Sequence, residues 1–131
     1  MHKGKGQIRA SASGAAGFSI PAESHMSVVC RAGQREGRVT QIQLEPRTGR
    51  SHQLRVQCSK RSLPIVGDQT YGNFSRNRSF AQQNESVSKK RMFLHCLETS
   101  FRYDFKGGRF QFVAHAPLPD DFLGLVDQTS A

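Results

Sequence analysis

Hydrophobic and polar positions alternate most clearly in residues 38–46 (RVTQIQLEP). Thr40, Ile42 and Leu44 fall on one side of an extended segment, with Val39, Gln41 and Gln43 on the other. This is the pattern of a half-buried strand, and Pro46 ends it. Residues 25–32 (HMSVVCRA) also read as a strand. The Gly-bearing stretch 33–38 between them predicts a turn and an antiparallel hairpin. After a second turn at 47–50 (RTGR), Ser51 has the chemistry of a helix N-cap. Residues 52–61 then read as a short helix, with Leu54 and Cys58 on one face, stopped by Pro64. A brief apolar stretch, 64–66, leads into the turn residues Gly67, Asp68 and Gly72. Residues 73–91 are polar and read as a long loop with room for a short helix. Residues 92–105 and 109–115 are β-rich and joined at Lys106-Gly107-Gly108, a second hairpin. Pro119 followed by two aspartates marks the start of a helix over 119–126. Residues 1–24, rich in Gly, Ala and Ser, read as an irregular lead-in to a body at 25–131. The predicted class is α+β, a mainly antiparallel sheet with short helices.

Composition sharpens this picture. The 131 residues fit one domain. Hydrophobic residues make up 36% and mean hydropathy is −0.56, so the core is small and the polar surface large. No apolar run is long enough for a transmembrane helix, and no apolar h-region follows Lys3 and Lys5. Cys30, Cys58 and Cys96 are odd in number and form no C-x-x-C pair, which fits reduced thiols in a cytoplasmic protein. His25, His95 and His115 are scattered at no metal-ligand spacing and read as strand histidines.

Net charge is +9, and its distribution matters more than its size. Residues 47–61 hold five basic groups and no acidic one; residues 76–91 hold five basic groups and one acidic. Such density attracts polyanions, nucleic acid foremost. The densest block overlaps the segment Leu44–Arg55 (LEPRTGRSHQLR), where a strand end, a Gly turn and a helix start meet. Arg47 and Arg50 flank the turn and suit bidentate phosphate contacts. Thr48 and Gly49 form it, and His52 and Gln53 at the helix start can meet a sugar or base. Arg55 lies one turn beyond Ser51 and can point back to the same mouth.

These residues carry a family resemblance. TGRSHQLRV followed by LPIVGDQTYG is similar to the TGR-x-HQ-[IL]-R-V and [PI]-x-GD-x-x-YG segments of RluA-type pseudouridine synthases. Leu94-His95 resembles that family's LHA strand start, and FVAHAPLPDDFLGLV resembles its closing segment. The matches keep the family's order and run from about residue 25 to 126. The resemblance implies the C-terminal part of a catalytic domain that isomerises uridine in structured RNA, ribosomal or transfer, without metal or cofactor. It implies that Arg55 pairs with the catalytic aspartate, that Leu54 packs against the flipped base, and that Arg50 and His52 belong to the RNA-facing turn.

The sequence departs from the family in three ways. It has no H-R-L-D segment to supply the catalytic aspartate; the first aspartate is Asp68, read as a turn residue. Tyr71 and Tyr103 are its only tyrosines, and neither lies in the family's Y-x-A strand. Ser62 stands where a glycine usually stops the motif helix. Two readings follow. One is an incomplete synthase domain, inactive alone, whose front half lies on another polypeptide or is lost. The other is an RNA-binding fragment with no catalysis. Both have structured RNA as partner and no membrane. A helix-turn-helix DNA binder is disfavoured, because residues 52–61 have no neighbouring helix to pair with.

Overall fold

The computed structural model describes residues 5–13, 19–32, 39–84 and 91–127. Strands β1 (Lys5–Ser13), β2 (Ser19–Ala32) and β3 (Val39–Pro46) form an antiparallel sheet in the order β1-β2-β3. Helices α1 (Gln53–Lys60) and α2 (Phe74–Gln83) follow. A separate hairpin of β4 (Glu98–Phe105) and β5 (Gly108–His115) comes next, and α3 (Asp120–Asp127) closes the described chain. The class is α+β with antiparallel sheets and short helices, as the pattern predicts.

The lead-in is where the fold departs most from that pattern. Residues 5–13 are a strand paired along its whole length with β2, from Lys5 opposite Ser27 to Ser13 opposite Ser19. The signal was there but faint. Ile8, Ala10 and Ala12 alternate with Gln7, Arg9 and Ser11, yet small residues have little strand propensity. Pro21 lies inside β2 at a level β3 does not reach, since β3 pairing starts at Ser24 opposite Pro46. With a neighbour on one side only, the strand tolerates a residue that has no N–H.

β2 and β3 pair as foreseen, although the turn assigned to 33–38 lies outside the described residues. A bulge between Val28 and Cys30 makes Val29 the extra residue. Beside it the half-buried positions of β3 change phase: Leu44 and Ile42 lie inward, then Gln41 and Val39, with Thr40 exposed. The added twist of a bulge explains why strict alternation across 38–46 fails.

In the polar stretch 73–91 the structure shows a ten-residue helix, α2. Asn73 caps it by accepting from the Arg76 amide at 2.9 Å. Of the β-rich stretch 92–105, only 98–105 is strand. Residues 91–93 instead run against 65–67, with the Phe93 amide donating to Val66 O at 2.8 Å. Gly67, at φ 82°, makes this possible, because a Cβ there would sit 1.8 Å from Arg91 O. Phe93 gathers Phe80 of α2 and Phe122 of α3 at ring distances of 5.8 and 5.2 Å. Arg91 covers Phe93 and Phe122 and donates to Asp121 at 2.8 Å.

The end of α1 resolves the question raised by Ser62. Ser62 adopts φ 59°, the left-handed conformation a glycine would supply. Its amide donates to Ser59 O at 3.1 Å and the Leu63 amide to Cys58 O at 3.0 Å, the paired bonds of a Schellman stop. A side chain in that conformation carries a steric cost that glycine avoids. Ser62→Gly is therefore expected to stabilise the chain by about 0.5–1 kcal/mol, read as a higher midpoint in thermal or urea unfolding. A lower midpoint would show that the serine side chain contributes something that the bonds above do not capture.

Candidate functional site

The site is built on carbonyl groups that the sheet leaves open. β3 pairing stops at Ser24, so the Ala22 and Glu23 carbonyls lie beyond that ladder. The turn after β3 and the face of α1 take them up. The Arg47 amide donates to Glu23 O at 2.8 Å, Gln53 Nε2 donates to the same carbonyl at 3.0 Å, and Gln57 Nε2 donates to Ala22 O at 3.2 Å. Gln53 Nε2 also donates to Ser24 Oγ at 2.8 Å. Gln53, Gln57 and Ser24 are buried together with Cys58 and Ala22, so α1 meets β2 through a largely polar contact. Buried polar groups are affordable here because their donors are used.

Gln53 also sets the turn. Its Oε1 accepts from Thr48 Oγ1 at 2.7 Å and from the Arg50 amide at 3.1 Å, while its own amide donates to Arg50 O at 3.1 Å. Thr48 Oγ1 in turn accepts from the Glu23 amide at 2.9 Å. Gln53 is buried and Thr48 half-buried, and their polar atoms hold the turn against β2. One sequence expectation changes: Ser51 is not the N-cap. His52 occupies that position in left-handed conformation, φ 51°, with no side-chain cap.

What the turn presents outward is Arg47, Gly49, Arg50 and His52, all exposed. Arg50 Nε lies 3.4 Å from Pro21 O, a long contact that leaves the rest of its guanidinium in solvent. Leu54 and Arg55 are half-buried just behind.

Arg55 is where the structure adds most. It already holds a carboxylate. Its Nε donates to Asp68 Oδ2 at 2.9 Å and its Nη2 to Asp68 Oδ1 at 2.8 Å, a two-point fork. Asp68 is fully buried and also accepts from the Thr70 and Tyr71 amides at 2.9 and 3.0 Å. The Arg55 fork, aided by those amides, holds the Asp68 carboxyl well below the usual carboxylate range against the opposing effect of burial. The hydrogen bond to Asp68 raises the Arg55 pKa in return. Asp68 thus does more than shape a turn. One signal was available in advance: it is the only acidic residue between Arg47 and Asn84, and a lone acid in so basic a stretch has every reason to be paired.

Tyr71 carries the arrangement back to the turn. The Arg55 guanidinium lies over its ring at 5.1 Å, and its hydroxyl shares a 3.1 Å hydrogen bond with His52 Nδ1. The His52 and Tyr71 rings meet edge to face at 5.7 Å. Asp68, Arg55, Tyr71 and His52 therefore form one continuous line from the interior to the exposed mouth.

Known proteins resemble this chain in sequence and in shape. It is 33% identical over 114 residues to ribosomal large subunit pseudouridine synthase D of Pasteurella multocida, covering 85% of this chain and 33% of that protein. It is 38% identical over 87 residues to tRNA pseudouridine synthase C of Salmonella typhi, covering 66% of this chain and 32% of that one. The solved structure of human RNA pseudouridylate synthase domain containing 1 superposes with a TM-score of 0.60 at 26% identity, over 88% of this chain and 49% of that chain. The chain belongs to the RluA-type pseudouridine synthase family. No family model matches it. It spans about a third of the length of the curated synthases it matches. Among the described residues no cluster of His, Cys, Asp or Glu is arranged to hold a metal ion, and no helix is long and apolar enough to cross a membrane.

The Arg55–Asp68 pair makes a direct prediction. Asp68→Asn should destabilise the fold by about 3 kcal/mol, whereas Asp104→Asn, at the exposed 3.6 Å contact with Arg109, should cost under about 1 kcal/mol. Because folding lowers the Asp68 pKa, its contribution is complete above the unfolded carboxylate range and is lost as pH falls from about 4 toward the folded value. Thermal unfolding of both proteins across pH 2–7 tests this. The gap between wild type and Asp68→Asn should be constant near neutrality and close in acid. A gap that widens in acid would contradict the pairing.

Proposed function

We propose that this chain provides the RNA-facing turn and the arginine of an RNA pseudouridine synthase centre, acting on ribosomal or transfer RNA. The catalytic aspartate would come from outside these 131 residues. The observation that carries the reading is the state of Arg55. Asp68 takes two of its five N–H groups and fixes its plane over Tyr71. The other three remain to receive a second carboxylate. An aspartate beside a flipped uracil is poorly solvated, and a guanidinium already held in place keeps it ionised.

The remaining residues fall into place around that centre. Arg47, Arg50 and His52 meet the RNA backbone at the mouth. Thr48 and Gln53 keep the turn rigid without touching RNA. Leu54 lines the pocket into which the target uridine is turned out of its stack. The aspartate carries the isomerisation: the glycosidic C1′–N1 bond breaks, the uracil turns, a C1′–C5 bond forms, the C5 hydrogen leaves as a proton, and N1 takes up a proton. The family names of the relatives and the basic turn support this reading. The lack of an H-R-L-D segment favours, as the second reading, a fragment that binds RNA without modifying it.

Binding of the full chain to ribosomal RNA tests the mouth. Affinity should fall steeply with salt, and Arg50→Ala should weaken it and flatten log K against log salt by about one phosphate contact. Arg55→Lys, which keeps the charge but loses the fork, should leave that slope unchanged. An Arg50→Ala slope equal to wild type, or an Arg55→Lys slope that flattens as Arg50→Ala should, would overturn the assignment. Release of tritium from C5-labelled uridine should stay at background for the chain alone; release above background would show that another group performs the chemistry.

A further inference from the structure

We propose that the aromatic face of the β4–β5 hairpin is the surface on which the remaining part of the synthase domain docks. This rests on the reading of the chain as one part of a synthase. The register places Phe101 opposite Phe112, Tyr103 opposite Phe110, and Thr99 opposite Ala114. Opposed residues share a face, and alternate residues along a strand share it too. One face is therefore Thr99, Phe101, Tyr103 and Phe105 beside Phe110, Phe112 and Ala114. The rings are already organised: Phe101 stacks on Phe112 at 4.9 Å and Tyr103 on Phe110 at 5.5 Å. Yet the five rings are 45–58% exposed, and every β4 residue is exposed. A two-stranded ribbon with neither face covered is marginal in water.

Half-bare rings of this size leave roughly 500 Å² of aromatic surface open. That is the core of an interface of about 800 Å² per partner. The face itself carries no charged side chain; Arg102, Asp104 and Arg109 stand on the opposite face, and Lys106 reaches Phe105 only at the tip. Surfaces that stack RNA bases combine rings with cations, so this face fits a protein core better than a nucleic acid. A second copy is disfavoured by the +9 charge each would bring. The solved human domain matches 88% of this chain with only 49% of its own length, so about as much polypeptide again is present in that protein.

The test co-expresses the full chain with Pasteurella multocida synthase D from which the 114 matched residues are deleted, so that the two fold together. The wild-type chain should co-purify with it. Phe101→Asp and Phe112→Asp should each lower capture by about tenfold or more, while Arg102→Glu and Gln111→Glu on the other face should not. Hydrogen exchange needs no variant: amides of residues 99–114 in the wild-type chain should slow in the complex. No capture by wild type, capture unaffected by both phenylalanine variants, or unchanged exchange would each overturn the proposal. So would a dimer of the chain alone that Phe112→Asp disperses, or a loss of RNA affinity on Phe101→Asp as large as on Arg50→Ala. A complex that forms on this face but makes no pseudouridine upholds the docking surface and sinks the functional reading. Pseudouridine formed equally well with both phenylalanine variants does the reverse.

Discussion

Asp68 is the point on which the described structure turns. A carboxylate with no exposure is tolerable only if it is hydrogen-bonded and paired, and here four donors reach it: Arg55 Nη2 and the Thr70 and Tyr71 amides on Oδ1, and Arg55 Nε on Oδ2. The backbone around it is tied in as well. Asn77 of α2 donates from Nδ2 to Asp68 O at 3.0 Å and accepts from the Gly67 amide at 2.9 Å. Gly67 in turn gives residues 91–93 room to pass. One buried charge therefore binds α1, the 65–72 turn, α2 and the segment leading to β4 into a single unit. Asp68 lies thirteen positions beyond Arg55, so the closure entropy of that loop is modest.

Joining α1 to β2 uses different physics with the same outcome. Two glutamines extend the sheet's hydrogen bonding past the end of β3, with side-chain amides standing in for a strand. This makes the basic turn rigid from below. Arg47 and Arg50 are mounted on a backbone that Glu23, Thr48 and Gln53 fix at several points, so ordering that backbone costs nothing further when an anion arrives. His52 is held from the other side by Tyr71. The mouth is thus stiff in its main chain and free in its arginine side chains, a combination suited to gripping a phosphate backbone without adjusting to it.

Much of this was legible in residue order, but unevenly. The two hairpins, α1 and α3 follow from alternation, Gly turns and the Pro119-Asp120-Asp121 start. The Lys106-Gly107 turn even shows the positive φ at both residues, 47° and 76°, that a two-residue hairpin needs. Strand β1 is hard to read from sequence because Gly, Ala and Ser carry little propensity, and its pairing comes from a partner strand rather than from its own side chains. The burial of Gln53 is not legible in sequence, because a polar residue at a helix start looks solvent-facing. Only the position of the open Glu23 carbonyl, a fact of tertiary structure, turns it inward. Ser62 shows the converse: a residue with the wrong propensity adopts the left-handed stop because Pro64 and the Schellman bonds leave the chain no better exit.

The distribution of apolar side chains gives the final constraint. Among the described residues the buried hydrophobics are Ala22 and Cys58, while the buried polar set includes Ser24, Gln53, Gln57 and Asp68. The large rings sit elsewhere: Phe74, Phe101, Phe105, Phe110 and Phe112 are exposed, and Phe80, Phe93 and Phe122 are only half-buried. A domain that folds for itself buries its phenylalanines and shows its glutamines. Here the specific, hydrogen-bonded contacts lie around the basic turn, and the hydrophobic surface gathers on a hairpin that nothing described covers. Hydrogen bonds contribute little net stability beside what aromatic burial supplies. The hydrogen-bonded geometry around the basic turn is therefore complete among the described residues, while the aromatic face of β4–β5 stays uncovered there.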